Sequence, residues 1–172
     1  PPIVPRPELS EAPLSFAQQR LWVLAQLEQA QAAYHIPLAL RLRGPLAVAA
    51  LRAALDTVVA RHASLRTVFP PGDGQPVQRV LPHLTVDLPL RETDEAALPA
   101  RLRALATDPF DLAHGPLLRG ALYRLGEDHH VLALVLHHLV GDGWSWGVLL
   151  AELRLAYQAH RQNRTPALAP LP

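Results

Sequence analysis

The sequence contains no cysteine. That excludes disulfides, a thiol nucleophile and cysteine-based zinc sites. An excess of charge is also missing. Sixteen basic residues stand against fifteen acidic ones, a formal net charge of +1, and they are scattered rather than clustered. No basic patch points to nucleic acid. No apolar run approaches a membrane span, and no signal-peptide pattern opens the chain. The expected setting is therefore cytoplasmic, with neither nucleic acid nor membrane as partner. Internal repeats are absent as well.

What is present is enough apolar material for one core. Hydrophobic residues make up 49% of 172 residues, the size of a single domain. Proline gathers in the loops and at both ends. Residues 1–13 (PPIVPRPELSEAP) read as an interdomain linker. Ser15 with Gln18 three residues later is a capping-box pattern that opens a helix, and Leu21, Leu24 and Leu27 give that helix an apolar stripe. Alternation of Leu38, Leu40 and Leu42 with Ala39, Arg41 and Arg43 predicts a strand over 34–43. A helix follows over about 46–62, with Leu51, Leu55, Val58 and Val59 on its inner face. PPGDGQ, residues 70–75, is a turn. Short strands are expected over 76–81 and 84–88. A helix is expected over 94–107, with Pro99 marking a first-turn position. Another strand runs to Leu125, and Gly126-Glu127-Asp128 turns it back as a hairpin. His129 and His130 then stand at the entrance of the next strand and read as exposed. The last helix runs from about Ser145 to His160.

The most informative stretch is Val131 to Gly147. Six apolar residues, Val131 to Leu136, predict a strand buried on both faces in the middle of a sheet. It ends in His137 and His138, followed by Gly141, Asp142, Gly143, Trp144 and Ser145. Adjacent strand residues point in opposite directions. One histidine should therefore face a cavity while the other is packed or hydrogen-bonded. The same alternation argues against a metal site built from His137, His138 and Asp142. Asp142 has two candidate roles: accepting a hydrogen bond from a histidine ring, or pairing with a buried arginine. Gly141 and Gly143 allow a tight turn, and Gly143 leaves its N–H open to a ligand.

His-His-x-x-x-Asp-Gly, residues 137–143, resembles the signature of the acyltransferases with the chloramphenicol acetyltransferase fold. It is similar in particular to the condensation domains of nonribosomal peptide synthetases. Two further runs resemble core motifs of that family: Ser-x-Ala-Gln-x-Arg-Leu-Trp at 15–22, and Arg-His-x-x-Leu-Arg-Thr-x-Phe at 61–69. So does the segment Pro109-Phe110-Asp111-Leu112 with Gly115-Pro116-Leu117-Leu118-Arg119. The resemblance covers nearly all of 14–160.

The resemblance implies an α+β two-layer sandwich of the chloramphenicol acetyltransferase type, a mixed sheet with helices packed on it. It implies one lobe only, the N-terminal lobe over 14–163, with 164–172 beginning the connection to a C-terminal lobe that is missing here. The implied reaction is amide formation between an acyl or peptidyl thioester on an upstream peptidyl carrier domain and an aminoacyl thioester on a downstream one. No cofactor is bound; the substrates ride on the carriers' phosphopantetheine. His138 becomes the catalytic histidine and the Gly143 N–H a stabiliser of developing negative charge. His137 takes a supporting role, Asp142 and Arg66 a structural ion pair, and Trp144 and Ser145 are candidates for lining the channel. An ordinary core position is the alternative for Trp144. Heterocyclisation and epimerisation branches fit the motifs less well. Residues 1–34 contain no histidine, so an L-configured donor is expected rather than a dual epimerising domain. The competing readings are a lobe that holds a carrier without catalysis and a related stand-alone acyltransferase.

Overall fold

The computed structural model describes residues 11–26, 32–72 and 75–171. Leu27, the linker residues 1–10, and Asp73 and Gly74 of the expected turn lie outside them. The strands are β1 (Glu11–Pro13), β2 (His35–Arg43), β3 (Thr67–Val68), β4 (Val77–Val80), β5 (Leu90–Glu92), β6 (Leu118–Gly126) and β7 (His129–His137). The helices are α1 (Phe16–Ala25), α2 (Val48–Arg61), α3 (Leu98–Thr107) and α4 (Gly143–Arg161). The larger sheet has the order β2-β7-β6-β5. It is mixed: β7 is antiparallel to both neighbours, whereas β5 runs parallel to β6. A smaller sheet has the order β1-β4-β3.

The six-residue apolar run does form a central strand, and β7 is buried along nearly its whole length. Leu132, Leu134 and Leu136 point into the main core with α2 and α4. Val131 and Ala133 point the other way, into a second cluster with Leu98, Ala121 and Tyr123 under α3. A sheet strand covered on both faces needs apolar residues at consecutive positions, and that is why the alternation vanishes here. On the edge strand β2 it survives, with half-buried Leu38, Leu40 and Leu42 between exposed neighbours. Each leucine buried along β7 contributes roughly 1.5–3 kcal/mol. The helices α2 and α4 are also joined by polar contacts. Glu152 accepts from Arg61 Nε at 3.1 Å and meets His62 Nε2 at 2.7 Å.

Several expectations need correction. Residues 11–13, assigned to the linker, form β1 against β4. Residues 84–88 form no strand. Val86 and Leu88 are buried as irregular chain against the core, and the paired strand starts at Leu90. The third helix begins at Leu98 with Pro99 in its first turn, while Asp94 Oδ1 accepts the Ala97 N–H at 2.7 Å just before it. His130 is 2% exposed, not at the surface, because it lies within the strand pairing and both neighbouring strands cover it.

Candidate active site at the end of the central strand

The last residue of β7 is His137, opposite His35 on β2. Its backbone N–H donates to Leu117 O at 2.9 Å. Its carbonyl accepts the Val140 N–H at 3.1 Å, which closes a four-residue turn. Its ring Nδ1 accepts the Leu139 N–H at 3.1 Å. One residue thus satisfies two amide donors of the turn, one through its backbone and one through its side chain. It is 1% exposed. Burial, then the neighbouring His35, His138 and Arg119, push its pKa down to about 4. A neutral ring is also what its hydrogen bond demands, because an imidazolium has no lone pair left at Nδ1.

His138 behaves in the opposite way. Its N–H donates to Tyr34 O at 2.9 Å, while its side chain is exposed. The two histidines of the motif therefore divide as strand alternation requires, one packed and one presented.

After the turn the chain passes Gly141, where a Cβ would stand 2.5 Å from Leu136 Cδ2 and 3.1 Å from Ser145 Oγ. Only glycine lets the backbone lie this close to β7. Asp142 then caps α4. Its Oδ1 accepts the Ser145 N–H at 2.9 Å and the Ser145 hydroxyl at 2.8 Å, and Ser145 Oγ accepts the Asp142 N–H at 3.0 Å. The Ser145 amide and hydroxyl hold the Asp142 carboxyl below its ordinary pKa. Ser145 is thus engaged in the cap. Gly143 is the first residue of α4 and exposed, and its N–H belongs to the helix's first turn, where no intrahelical acceptor exists. Trp144 is 83% exposed, so it is not a core tryptophan; Trp146 is the buried one.

Arg66 does not pair with Asp142. Its Nη1 donates to the carbonyl oxygens of Leu81 and Pro82. The residue ends a 3₁₀ turn, Ala63–Arg66, beside the smaller sheet, and Arg66 O also accepts the Leu81 N–H at 2.8 Å. Backbone carbonyls take the place of a carboxylate at Nη1, while the buried Nε has no hydrogen-bond partner among the described residues. Asp142 is exposed and occupied by its helix. Arg66→Ala and Asp142→Ala are accordingly expected to lower stability independently. In a double-mutant cycle by urea unfolding, the double variant should lose the sum of the single losses. A much smaller combined loss would restore the pair.

The other two motif runs are local scaffolding. Ser15 Oγ accepts the Gln18 N–H at 3.2 Å and Gln18 Oε1 accepts the Ser15 N–H at 2.9 Å, so the expected capping box forms. Trp22 Nε1 donates to Phe69 O at 3.3 Å, tying the first motif to the second.

Three residues around His137 were not connected to the site by sequence reasoning. The rings of His35 and Phe110 both lie 5.7 Å from that of His137, and 4.8 Å from each other. The Arg119 guanidinium carbon stands 3.6 Å above the Phe110 ring. His35 and Arg119 come from separate strands and Phe110 from the chain after α3. No periodicity links them; only the pairing of His35 with His137 across antiparallel strands points to the cluster.

Comparison with known proteins gives a consistent picture. The family model described as condensation domain matches residues 8–172. The chain is 50% identical over 169 residues to the probable non-canonical nonribosomal peptide synthetase CymA of Salinispora arenicola (strain CNS-205), covering 98% of this chain and 2% of that protein. It is 46% identical over 177 residues to malpibaldin synthetase of Mortierella alpina, covering 98% of this chain and 3% of the relative. Among solved structures, the X-domain from teicoplanin biosynthesis matches with a TM-score of 0.89 at 41% identity, over 98% of this chain and 36% of that one. The starter condensation domain of rhizomide synthetase RzmA matches with a TM-score of 0.85 at 26% identity, over 94% and 40%. The chain therefore spans less than half of each of these relatives and solved chains.

Proposed function

The chain belongs to the condensation-domain family, and from that membership we propose that it is the N-terminal, histidine-bearing lobe of a domain that forms amide bonds in a nonribosomal peptide synthetase. An upstream carrier domain presents an acyl or peptidyl thioester on phosphopantetheine, and a downstream carrier presents an aminoacyl thioester. The α-amine attacks the thioester carbonyl; a C–N bond forms, the C–S bond breaks, and the thiol stays on the upstream arm. The nitrogen's surplus proton passes to His138 and leaves with the sulfur. An α-amine of pKa about 8 is roughly one-tenth neutral at pH 7. His138 therefore acts by positioning the amine as well as by taking its proton. The Gly143 N–H, at the positive end of α4, faces the charge that develops on the carbonyl oxygen. The carrying observation is that His138 stands exposed beside a rigidly buried, neutral His137 at the end of the central strand.

A second reading, a lobe that binds a partner without catalysis, has one observation in its favour: a matching solved structure, of TM-score 0.89, is the complex of the X-domain and OxyB from teicoplanin biosynthesis.

One experiment separates the two. Both loaded carriers are supplied to the two-lobed parent domain and to residues 1–172 alone, and dipeptidyl thioester on the downstream carrier is measured by mass spectrometry. The parent is expected to turn over and residues 1–172 to give no product, since aligning two tethered reactants supplies about 7–11 kcal/mol of the barrier and one lobe forms only one wall. A parent that binds carriers yet makes no dipeptide would support the binding reading. Turnover by residues 1–172 within about tenfold of the parent would remove the role given to the second lobe.

A further inference from the structure

The polar cluster behind His137 is more elaborate than a core requires. On the β7 face that His137 shares, the buried neighbours Val131, Ala133 and Val135 are apolar, and polar groups taken into a core cost free energy unless each finds a partner. Most find partners in the chain after α3, although Arg119 Nε is buried without one among the described residues. His35 Nδ1 lies 2.7 Å from Ala106 O, so it carries the proton and donates. Arg119 Nη1 donates to Asp108 Oδ2 at 2.9 Å and Pro109 O at 3.2 Å, and Nη2 bonds Asp108 O. These contacts clamp residues 106–109, at the end of α3, against the ends of β2, β6 and β7. The clamp delivers the Phe110 ring edge-on to both imidazoles, with interplanar angles of 85° and 88°.

We propose that His35, backed by Phe110 and Arg119, is a positioning residue. It holds the His137 ring in the one orientation and tautomer whose Nδ1 accepts the Leu139 N–H, and so fixes the turn that aims His138. The geometry leaves His137 little choice. A flipped ring would put the Cδ2–H in place of Nδ1 and leave the Leu139 N–H without its acceptor. A protonated ring would have no lone pair to offer, and would sit beside the Arg119 charge. The His35 ring stands 5.7 Å from that of His137, centroid to centroid, and its own orientation is set by Ala106. The inference rests on the catalytic reading of His138, but its structural claim is open to a separate measurement.

That measurement is ¹⁵N NMR of the two-lobed parent labelled at histidine. The His137 Nδ1 resonance should be that of a bare, accepting nitrogen in the unmodified protein. In His35→Ala it should move toward a mixture of tautomers. In His35→Phe, which refills the ring space, the single tautomer should return. In parallel, dipeptide formation by His35→Ala should lose about tenfold to a hundredfold in kcat, the scale of a small displacement of a catalytic group, with KM for the loaded carriers within about twofold. His35→Phe should recover most of that loss. A single unchanged tautomer in His35→Ala overturns the proposal, whatever the rate. So does a kcat within twofold of the parent while His138→Ala is inactive. An active His138→Ala variant would instead overturn the catalytic reading of His138, and the NMR result would still decide the role of His35.

Discussion

Replacing His138 with alanine in the two-lobed parent should lower dipeptide formation by about 10²–10⁴-fold, the usual contribution of a positioned acid–base group, while the urea unfolding midpoint stays in place. The stability half of that expectation follows from exposure. The His138 side chain is exposed, and its backbone bond to Tyr34 survives the change. His137→Ala should show the reverse balance. It removes a ring that is 1% exposed and strips the Leu139 N–H of its acceptor. A loss of about 3 kcal/mol is expected from the cavity and the orphaned donor together, with a smaller effect on chemistry than His138→Ala in the protein that remains folded. Product on the downstream carrier and urea curves are measured for both variants. Equal kinetic loss from the two, or an active His138→Ala, would falsify the division of labour.

Acid should unfold this protein through its buried histidines before its carboxylates matter. In the unfolded chain His137 takes a proton near pH 6.5, whereas in the folded protein it resists until about 4. Between those values the unfolded state binds more protons, so stability falls as pH falls. The gap corresponds to about 3 kcal/mol, fully present above pH 6.5 and exhausted below pH 4. Burial pushes His35 and His130 down as well, and both add to the same limb. Asp111, held low chiefly by His114, contributes its loss further down the scale. The check is urea unfolding from pH 7 to 4 for the unmodified protein and for His137→Asn. Asparagine carries a carbonyl that accepts the Leu139 N–H and does not titrate. Its curve should be flatter across the window by most of that difference. Parallel curves would mean that His137 is not held neutral.

The parts of the fold legible in the sequence were those governed by local rules. The Ser15–Gln18 capping box, the alternation along β2 and the doubly buried β7 each follow from residues within one element. The opposite facing of His137 and His138 was legible for the same reason. What escaped depends on chain meeting chain at a distance. His35 Nδ1 meets a carbonyl 71 residues away, and no spacing rule reaches that far. The Arg66–Asp142 pair does not form because the Arg66 guanidinium turns its Nη1 to the carbonyls of Leu81 and Pro82, which no sequence spacing marks as acceptors. His130 is buried although it stands next to a hairpin turn, because it belongs to a strand paired on both sides.

The double pairing of β7 also determines how the site moves. Amide protons in a strand hydrogen-bonded along both edges exchange with solvent only when a large part of the domain opens, and the protected run reaches the His138 N–H on Tyr34 O. On the proposed reading, the imidazole that meets substrate is thus carried by backbone that continues directly from a strand paired along both edges. Destabilising changes elsewhere in the core should therefore reduce the fraction of competent molecules rather than alter the reactivity of each one. On that reading, adaptation to different substrates falls to the surfaces around His138, because its own backbone is held by the sheet.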